Sequence, residues 1–356
     1  KSCLRPMRRG ALGTSAKVTA IIVAIVVIGA GGYYYFYYLA APPPQKVTLK
    51  VYGSVDTQDM QTVLKDFQGN YSYITVSYQE FTPPTAFAKI TAELAAHNAT
   101  ADVAFITNSL MNPLKSAGDL ISYNSTQSTN YPSNYHEAKG YFATAILLPV
   151  VFSYNTQLVT SANLPKTLND LTNSSLKGKV IMHDLTIGST GTQYMLSLVP
   201  IVGNSTFTAW AKALASNVKP TLTTDTTAIA NGVASGQYSI GIVTYLHDVV
   251  RLQSQGAPIG WFLPQGIPLL TAPVSVGIVK GTPHLAAAQL FEDFILSKNA
   301  QQVIGNTAVR FIAYPGLTAK YTVSGVAPNQ TVVFFPTAQV SAQARKFGPI
   351  FKSWGF

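Results

Sequence analysis

Of 356 residues only one is a cysteine, Cys3. An internal disulfide, a Cys-ligated zinc site, an iron–sulfur cluster and a cysteine nucleophile are therefore excluded. Charge is scarce too: Asp, Glu, Lys and Arg make up 11%, against about 25% in an average soluble chain. Hydrophobic residues reach 47% and the mean hydropathy is +0.20, which excludes a disordered, charge-extended chain. The net charge is +10, yet Lys1, Arg5, Arg8, Arg9 and Lys17 carry half of it, with no acid among them. The rest forms no basic stripe, so nucleic acid is not an expected partner. Catalytic signatures are missing as well. There is no G-x-x-x-x-G-K-[ST], no G-x-G-x-x-G after a strand and no G-x-S-x-G. His136-Glu137 lacks the second histidine of H-E-x-x-H, because Gly140 stands in its place. The expectation is a protein without a catalytic step and without a cofactor.

What is present begins with a long apolar run. From Val18 to Gln45 no residue is charged. Val18 to Leu39 is long enough to cross a bilayer core as one helix. The basic cluster at 1–17 precedes it, which places the N-terminus inside and the large part outside. The aromatic run Tyr33 to Tyr38 suits the outer interface. The expected layout is a basic segment at 1–17, a membrane helix at 18–41 and a stiff Pro-rich linker at 42–46. Met7 is a candidate initiator. A start there would make Arg8-Arg9-Gly10 followed by an apolar helix similar to an archaeal type IV pilin-like signal, cut after Gly10. A cleaved secretory signal is the rival reading, with an h-region longer than usual. Six N-x-S/T sequons follow, at Asn70, Asn98, Asn124, Asn173, Asn204 and Asn329. They fit an external glycoprotein on a cell surface. The low carboxylate content also suits a protein that works in acid.

Beyond the linker the pattern alternates. Val47 to Tyr52 reads as a strand, and Met60, Val63, Leu64 and Phe67 mark a helix behind an Asp56 N-cap. Strands are expected at Ile74–Tyr78, Ala101–Ile106, Ala145–Tyr154 (interrupted by Pro149), Lys179–Met182, Ser239–Val243 and Val274–Val279. Helices are expected around Phe87 to Leu94, from Leu110, around Phe207 to Leu214, and at Ile229 to Val233 with Gly236 just past the end. Another opens at Thr282-Pro283, and a terminal one packs Phe347, Ile350, Phe351 and Trp354. Strands alternating with helices argue for an α/β fold with mostly parallel sheets.

Ligands in such folds bind where strand ends meet helix starts. The turns there carry small polar residues: Ser54 and Asp56, Asn108 and Ser109, Ser189-Thr190-Gly191-Thr192, and Thr226. Hydroxyls and free backbone N–H groups at helix N-termini suit anions. The same residues also serve as plain helix caps.

Several short stretches carry a family resemblance: Val51-Tyr52-Gly53-Ser54-Val55-Asp56-Thr57, Ala101-Asp102-Val103, Phe152-Ser153-Tyr154-Asn155-Thr156 and Lys177-Gly178-Lys179-Val180. Ser189 to Thr192, Val233-Ala234-Ser235-Gly236 and Gly281-Thr282-Pro283-His284 continue the series. In order and spacing, Lys46 to about Tyr314 resembles the type II extracellular solute-binding proteins of ABC importers, the ferric-iron-binding-like group. The resemblance implies a two-lobed α/β fold with a central cleft. Lobe 1 would hold 47–148 and 273–356, lobe 2 would hold 149–272, and the crossovers would lie near Pro149 and Pro273. It implies ABC permease subunits as partners and a small molecule or ion as ligand. Iron-binding members use adjacent tyrosines after the strand matching Ser239–Val243. Here the segment reads Thr244-Tyr245-Leu246-His247-Asp248, with one tyrosine. A ferric site would rest on Asp56, Tyr245 and His247, with Asp248 as a further hard-metal donor; an anionic or phosphorylated solute would use the hydroxyl-rich turns, Tyr245 and His247. A cation stacked on an aromatic such as Tyr154 is a third reading. A structural role is the alternative of another class: self-assembly of the pilin-like helix, whose Gly29, Ala30, Gly31 and Gly32 permit close packing, into a filament or array.

Overall fold

A computed structural model describes residues 27–28, 45–187, 190–335 and 346–356, the side chain of Thr190 excepted. Residues 1–46 and 47–356 form separate units. In the first, Val27 and Ile28 are helical and exposed. The rest of the expected span Val18–Leu39, the basic segment with Gly10, and Pro42–Pro44 lie outside the described residues. No helix among the described residues is long and apolar enough to cross a membrane.

The second unit runs β1 (Val47–Gly53), α1 (Thr57–Asn70), β2 (Ile74–Glu80), α2 (Pro83–Ala95), β3 (Val103–Thr107), α3 (Asn108–Ala117), β4 (Leu120–Ile121) and β5 (Ala143–Asn155). It continues with β6 (Val180–His183), α4 (Thr190–Val202), α5 (Asn204–Ala213), β7 (Thr221–Thr223), α6 (Thr226–Ala234), β8 (Ile240–Tyr245) and α7 (Leu246–Ser254). Then come β9 (Ile259–Phe262), β10 (Leu269–Val279), α8 (Leu285–Leu296), α9 (Lys298–Thr307), β11 (Phe311–Ile312), α10 (Val323–Val326) and β12 (Val332–Phe334). The strand order is β2-β1-β3-β10-β5-β8-β6-β7. β1 runs parallel to β2 and β3, and β6 runs parallel to β7 and β8. Between these groups lie β5 and β10, antiparallel to each other and to β8 and β3.

That central pair corrects two expectations. The sheets are mixed rather than mostly parallel, because β5 and β10 each pass between the two parallel groups. Pro149 does not interrupt its strand: β5 runs unbroken for 13 residues, with Pro149 opposite Thr271. A proline gives no N–H to a ladder and is tolerated beside irregular pairing. The β10–β5 register shifts at Val274/Ser275 and the β5–β8 register at Val151/Ser153.

The apolar spacings fold as read. Met60, Val63, Leu64 and Phe67 are all buried on α1. Phe67 meets Phe291 and Phe294 of α8 edge-on, at 5.2 and 5.3 Å between ring centres, which ties the first helix to one more than 200 residues away. Gly236 follows α6 with φ +78, in the left-handed region that glycine enters at low cost. At the C-terminus residues 346–353 are helical. Phe351 packs on Phe207 and Trp354, but Ile350 is exposed rather than packed. Thr282-Pro283 does not open a helix. Thr282 Oγ1 instead donates to Asp102, and α8 starts at Leu285. All six sequon asparagines are exposed.

Candidate functional site

The turn after β1 is built from below. Tyr78 on β2 donates its hydroxyl to the Val55 carbonyl at 2.6 Å and accepts the Val55 N–H at 3.2 Å. The ring reaches this turn only because residue 53 is a glycine: a Cβ there would lie 2.1 Å from the Tyr78 oxygen. Burial pushes the Tyr78 phenol well above its usual range, so it stays a neutral donor. Thr57 N and Oγ1 both donate to Glu80. This brace holds Ser54 and Asp56 at the C-terminal end of β1.

Asp56 is not an N-cap in the hydrogen-bonding sense, because its side chain makes no capping bond. Its carboxylate accepts from Arg310 Nη2 at 2.7 Å and from Arg251 Nη2 at 3.5 Å. Asp59, one turn into α1, accepts from the same two groups at 3.0 and 2.8 Å. Asp248 stands 3.8 Å from Arg251 Nη1 and 3.5 Å from His247 Nε2. Two guanidinium groups and three carboxylates therefore form one cluster. Asp56 and Asp59 follow β1, Asp248 and Arg251 lie on α7 after β8, and Arg310 immediately precedes β11, which pairs with β5. The cluster links the two parallel strand groups and the strand between them.

Burial sets the protonation here. Asp248 is 4% exposed. Burial pushes its carboxyl up to about 6, against the pull of Arg310 and Arg251. Burial, reinforced by the same two arginines, holds His247 well below the usual imidazole range, so it is neutral at pH 7. Its ring lies nearly flat against Tyr245, 5.2 Å between centres at 21°. The path into this region is strained: Val243 has φ +67, a backbone state that a β-branched residue adopts at a cost on the order of 1–3 kcal/mol. The kink lies just before Thr244 and Tyr245. Thr244 Oγ1 pairs with Ser153 Oγ at 2.8 Å, and Gly241 makes room, since a Cβ there would meet Ser153 Oγ at 2.4 Å.

Among the described residues, three buried polar atoms in this region lack a hydrogen-bond partner: Ser54 Oγ, His247 Nδ1 and Arg310 Nε. Buried polar groups are normally paired, and leaving one unpaired costs about 1–3 kcal/mol. A concentration of them around a charged cluster is what a ligand-binding cleft requires.

The other expected site residues divide differently. Asn108, Ser109, Thr144 and Ser275 are buried. Ser275 donates to Asn108 Oδ1 and pairs with Thr144, while Ser109 pairs with Thr107 at 3.1 Å. Their polar groups bind one another. Thr192 Oγ1 donates to the Leu185 carbonyl at 2.9 Å. Gly191 lies against His183, where a Cβ would come within 2.6 Å. Thr226 opens α6, whose cap is Asp225, accepting from Thr227 N. Ser189 and the Thr190 side chain lie outside the described residues. The structure thus joins Asp56, Tyr245 and His247 in the region of the ionic cluster. It sets Asp248 beside them and adds Asp59, Arg251 and Arg310, which sequence reasoning missed. A signal existed: after Arg9 the chain has three arginines, and Arg310 sits in the apolar run Ala308-Val309-Arg310-Phe311-Ile312. An arginine in such a run is buried and therefore paired.

A family model described as bacterial extracellular solute-binding protein matches residues 98–332. The chain is 27% identical over 296 residues to an uncharacterized protein of Haemophilus influenzae, across 80% of this chain and 83% of that one. Its fold is similar to the periplasmic binding protein AfuA from Actinobacillus pleuropneumoniae, a structure with exogenous fructose-6-phosphate bound. That match has TM-score 0.71 and 24% identity, over 86% of this chain and 97% of that one. It is also similar to the ferric binding protein from Campylobacter jejuni, with TM-score 0.73 and 17% identity, over 86% and 99% of the two chains. A third similar fold is iron-bound HitA from Pseudomonas aeruginosa, with TM-score 0.71 and 18% identity, over 87% and 100%. These likenesses establish the two-lobed α/β fold, and with the family match over most of the second unit the chain belongs to the bacterial extracellular solute-binding proteins.

Proposed function

We propose that the protein captures a small anionic or phosphorylated solute in the cleft at the Asp56–Arg251–Arg310 cluster and delivers it to an ABC permease. The lobes are 47–148 with 273–356, and 149–272, closing by a hinge motion of β5 and β10. The carrying observation is the Arg251–Arg310 pair on Asp56 and Asp59, surrounded by the unpartnered Ser54 Oγ, His247 Nδ1 and Arg310 Nε. Guanidinium groups match phosphate and carboxylate geometry. An incoming anion exchanges with Asp56, whose side chain is 47% exposed, while Asp59 stays on the arginines. The Ser189–Thr192 stretch remains a sequence-based candidate for further anion contacts; among the described residues the Thr192 hydroxyl is already spent on the Leu185 carbonyl.

A ferric ion is the weaker reading. Asp56 is held by two cations that compete with a metal, and no group of three or more His, Cys, Asp or Glu among the described residues could hold one. The N-terminal run 18–41 tethers the protein to the cell surface in this proposal, and the exposed sequons carry glycans there. Self-assembly through the same run is the competing role.

The test is a melting series on the purified chain with fructose-6-phosphate, inorganic phosphate and ferric citrate. A ligand at a hundred times its Kd adds about 2.7 kcal/mol. We expect a rise with a phosphate-bearing solute that is lost in Arg251→Ala. A visible tyrosinate–iron absorption band with ferric citrate, and no response to phosphates, would replace this reading by the iron one.

A further inference from the structure

Away from the ionic cluster, α8 carries a second unexplained acid. Glu292 is 2% exposed and lines a cavity of about 80 Å³. No hydrogen bond reaches its carboxyl among the described residues. The neighbouring acids are accounted for. Asp293 accepts from Tyr123 OH at 2.7 Å and from Ser125 Oγ at 2.5 Å. Glu137 accepts from the backbone N–H of Lys139 and from Lys115 Nζ. Of the acids lining the cavity, Glu292 is the one without a partner among the described residues.

The remaining wall mixes polar groups with Ala138, Phe142 and Ala143 and contains no lysine or arginine. Asn124, Ser128 and His136 contribute to it. Ser128 Oγ spends its proton on the Ser125 carbonyl at 2.6 Å, which leaves its lone pairs for a ligand. Gly140 closes the wall with φ +75, and a Cβ there would meet Asn124 Oδ1 at 2.4 Å. Volume and donors together define the occupant. About 80 Å³ holds an ion with a few waters and excludes an organic solute. Apart from the His136 imidazole the donors are oxygens, which suit hard cations. With a single free carboxylate, the negative charge matches a singly charged ion.

We propose that this cavity binds a monovalent alkali cation, sodium or potassium, with the Glu292 carboxylate as its one anionic donor and neutral oxygens from Ser128 and Asn124 beside it. Burial, with Asp293 adjacent, drives the carboxyl well above its ordinary range, so a proton is the competitor for the same oxygens. The ion braces α8 against the loop 121–141, which otherwise holds to that helix through Asp293 and the Tyr131 hydroxyl on the Leu296 carbonyl.

The test compares melting of the full chain in sodium chloride, potassium chloride and choline chloride at equal ionic strength. One alkali ion at ten times its Kd should raise the melting temperature by about 3 °C over choline. The rise should disappear in Glu292→Gln and shrink in Ser128→Ala. Equal rises in wild type and Glu292→Gln, or no rise in wild type, would overturn the proposal and leave Glu292 as an acid satisfied by its proton. Should Glu292→Gln fail to fold, sodium-23 line width with the wild-type chain decides. Broadening that excess potassium removes supports the site, and an unbroadened line refutes it.

Discussion

Two polar regions of this molecule contain similar residues and behave in opposite ways. Around Asn108 the groups satisfy each other: Ser275, Thr144 and the Asn108 amide form a buried network. Around Asp56 they do not. Two arginines share two aspartates, and Ser54 Oγ, His247 Nδ1 and Arg310 Nε stay unpaired. A closed network specifies packing, while an open one keeps donors for something else. Small polar residues at strand ends therefore do not mark a ligand site by themselves. The leftover hydrogen-bonding capacity does.

The sharpest way to break this contrast is Arg310→Ala. Its side chain is 4% exposed, and its loss takes the nearer cation from Asp56 and leaves Asp59 with Arg251 alone. We expect about 3 kcal/mol of destabilisation, read from urea unfolding, together with loss of solute binding. Full binding in a folded variant would move the site elsewhere.

Asp248→Asn comes next. Burial raises the folded carboxyl to about 6, above its value in the unfolded chain. A raised group adds stability below the unfolded value and loses it as pH climbs through about 6. The asparagine variant should therefore gain on the order of 2 kcal/mol relative to wild type between pH 4 and 7. His247 acts oppositely, since its neutral form is favoured and its contribution falls away below about pH 6.5. A pair of stability profiles with constant spacing across that range would refute the assignment of Asp248.

The smallest effect concerns the closed network. Ser275→Ala leaves Asn108 Oδ1 without its donor and should cost about 1 kcal/mol. Solute affinity should stay within twofold. A tenfold loss of affinity would place the Asn108 turn inside the binding cleft after all.

How much of this was legible beforehand depends on the range of the interactions. The apolar faces of α1 and α6 and the C-terminal glycine of α6 were readable, because helical period and turn chemistry are local. Pro149 misled, since the residue that ends an isolated strand is carried inside β5 by the pairing on both sides. Thr282-Pro283 misled for a similar reason: Thr282 is drawn to Asp102, 180 positions earlier. The expected site residues Asp56, Tyr245 and His247 sit by the cluster, but their partners Arg251 and Arg310 were overlooked.

The sequence by itself determined the alternation of strands and helices and the polar turns at strand ends. Each of these follows from periodicities of a few residues. Only the tertiary structure decided which polar turns are closed and which are open. Arg251 reaches Asp56 across 195 positions and Arg310 across 254. Such pairings have no local period. They exist because β5 and β10 bring the ends of β1 and β8 together, and burial at that junction makes each unpaired atom costly.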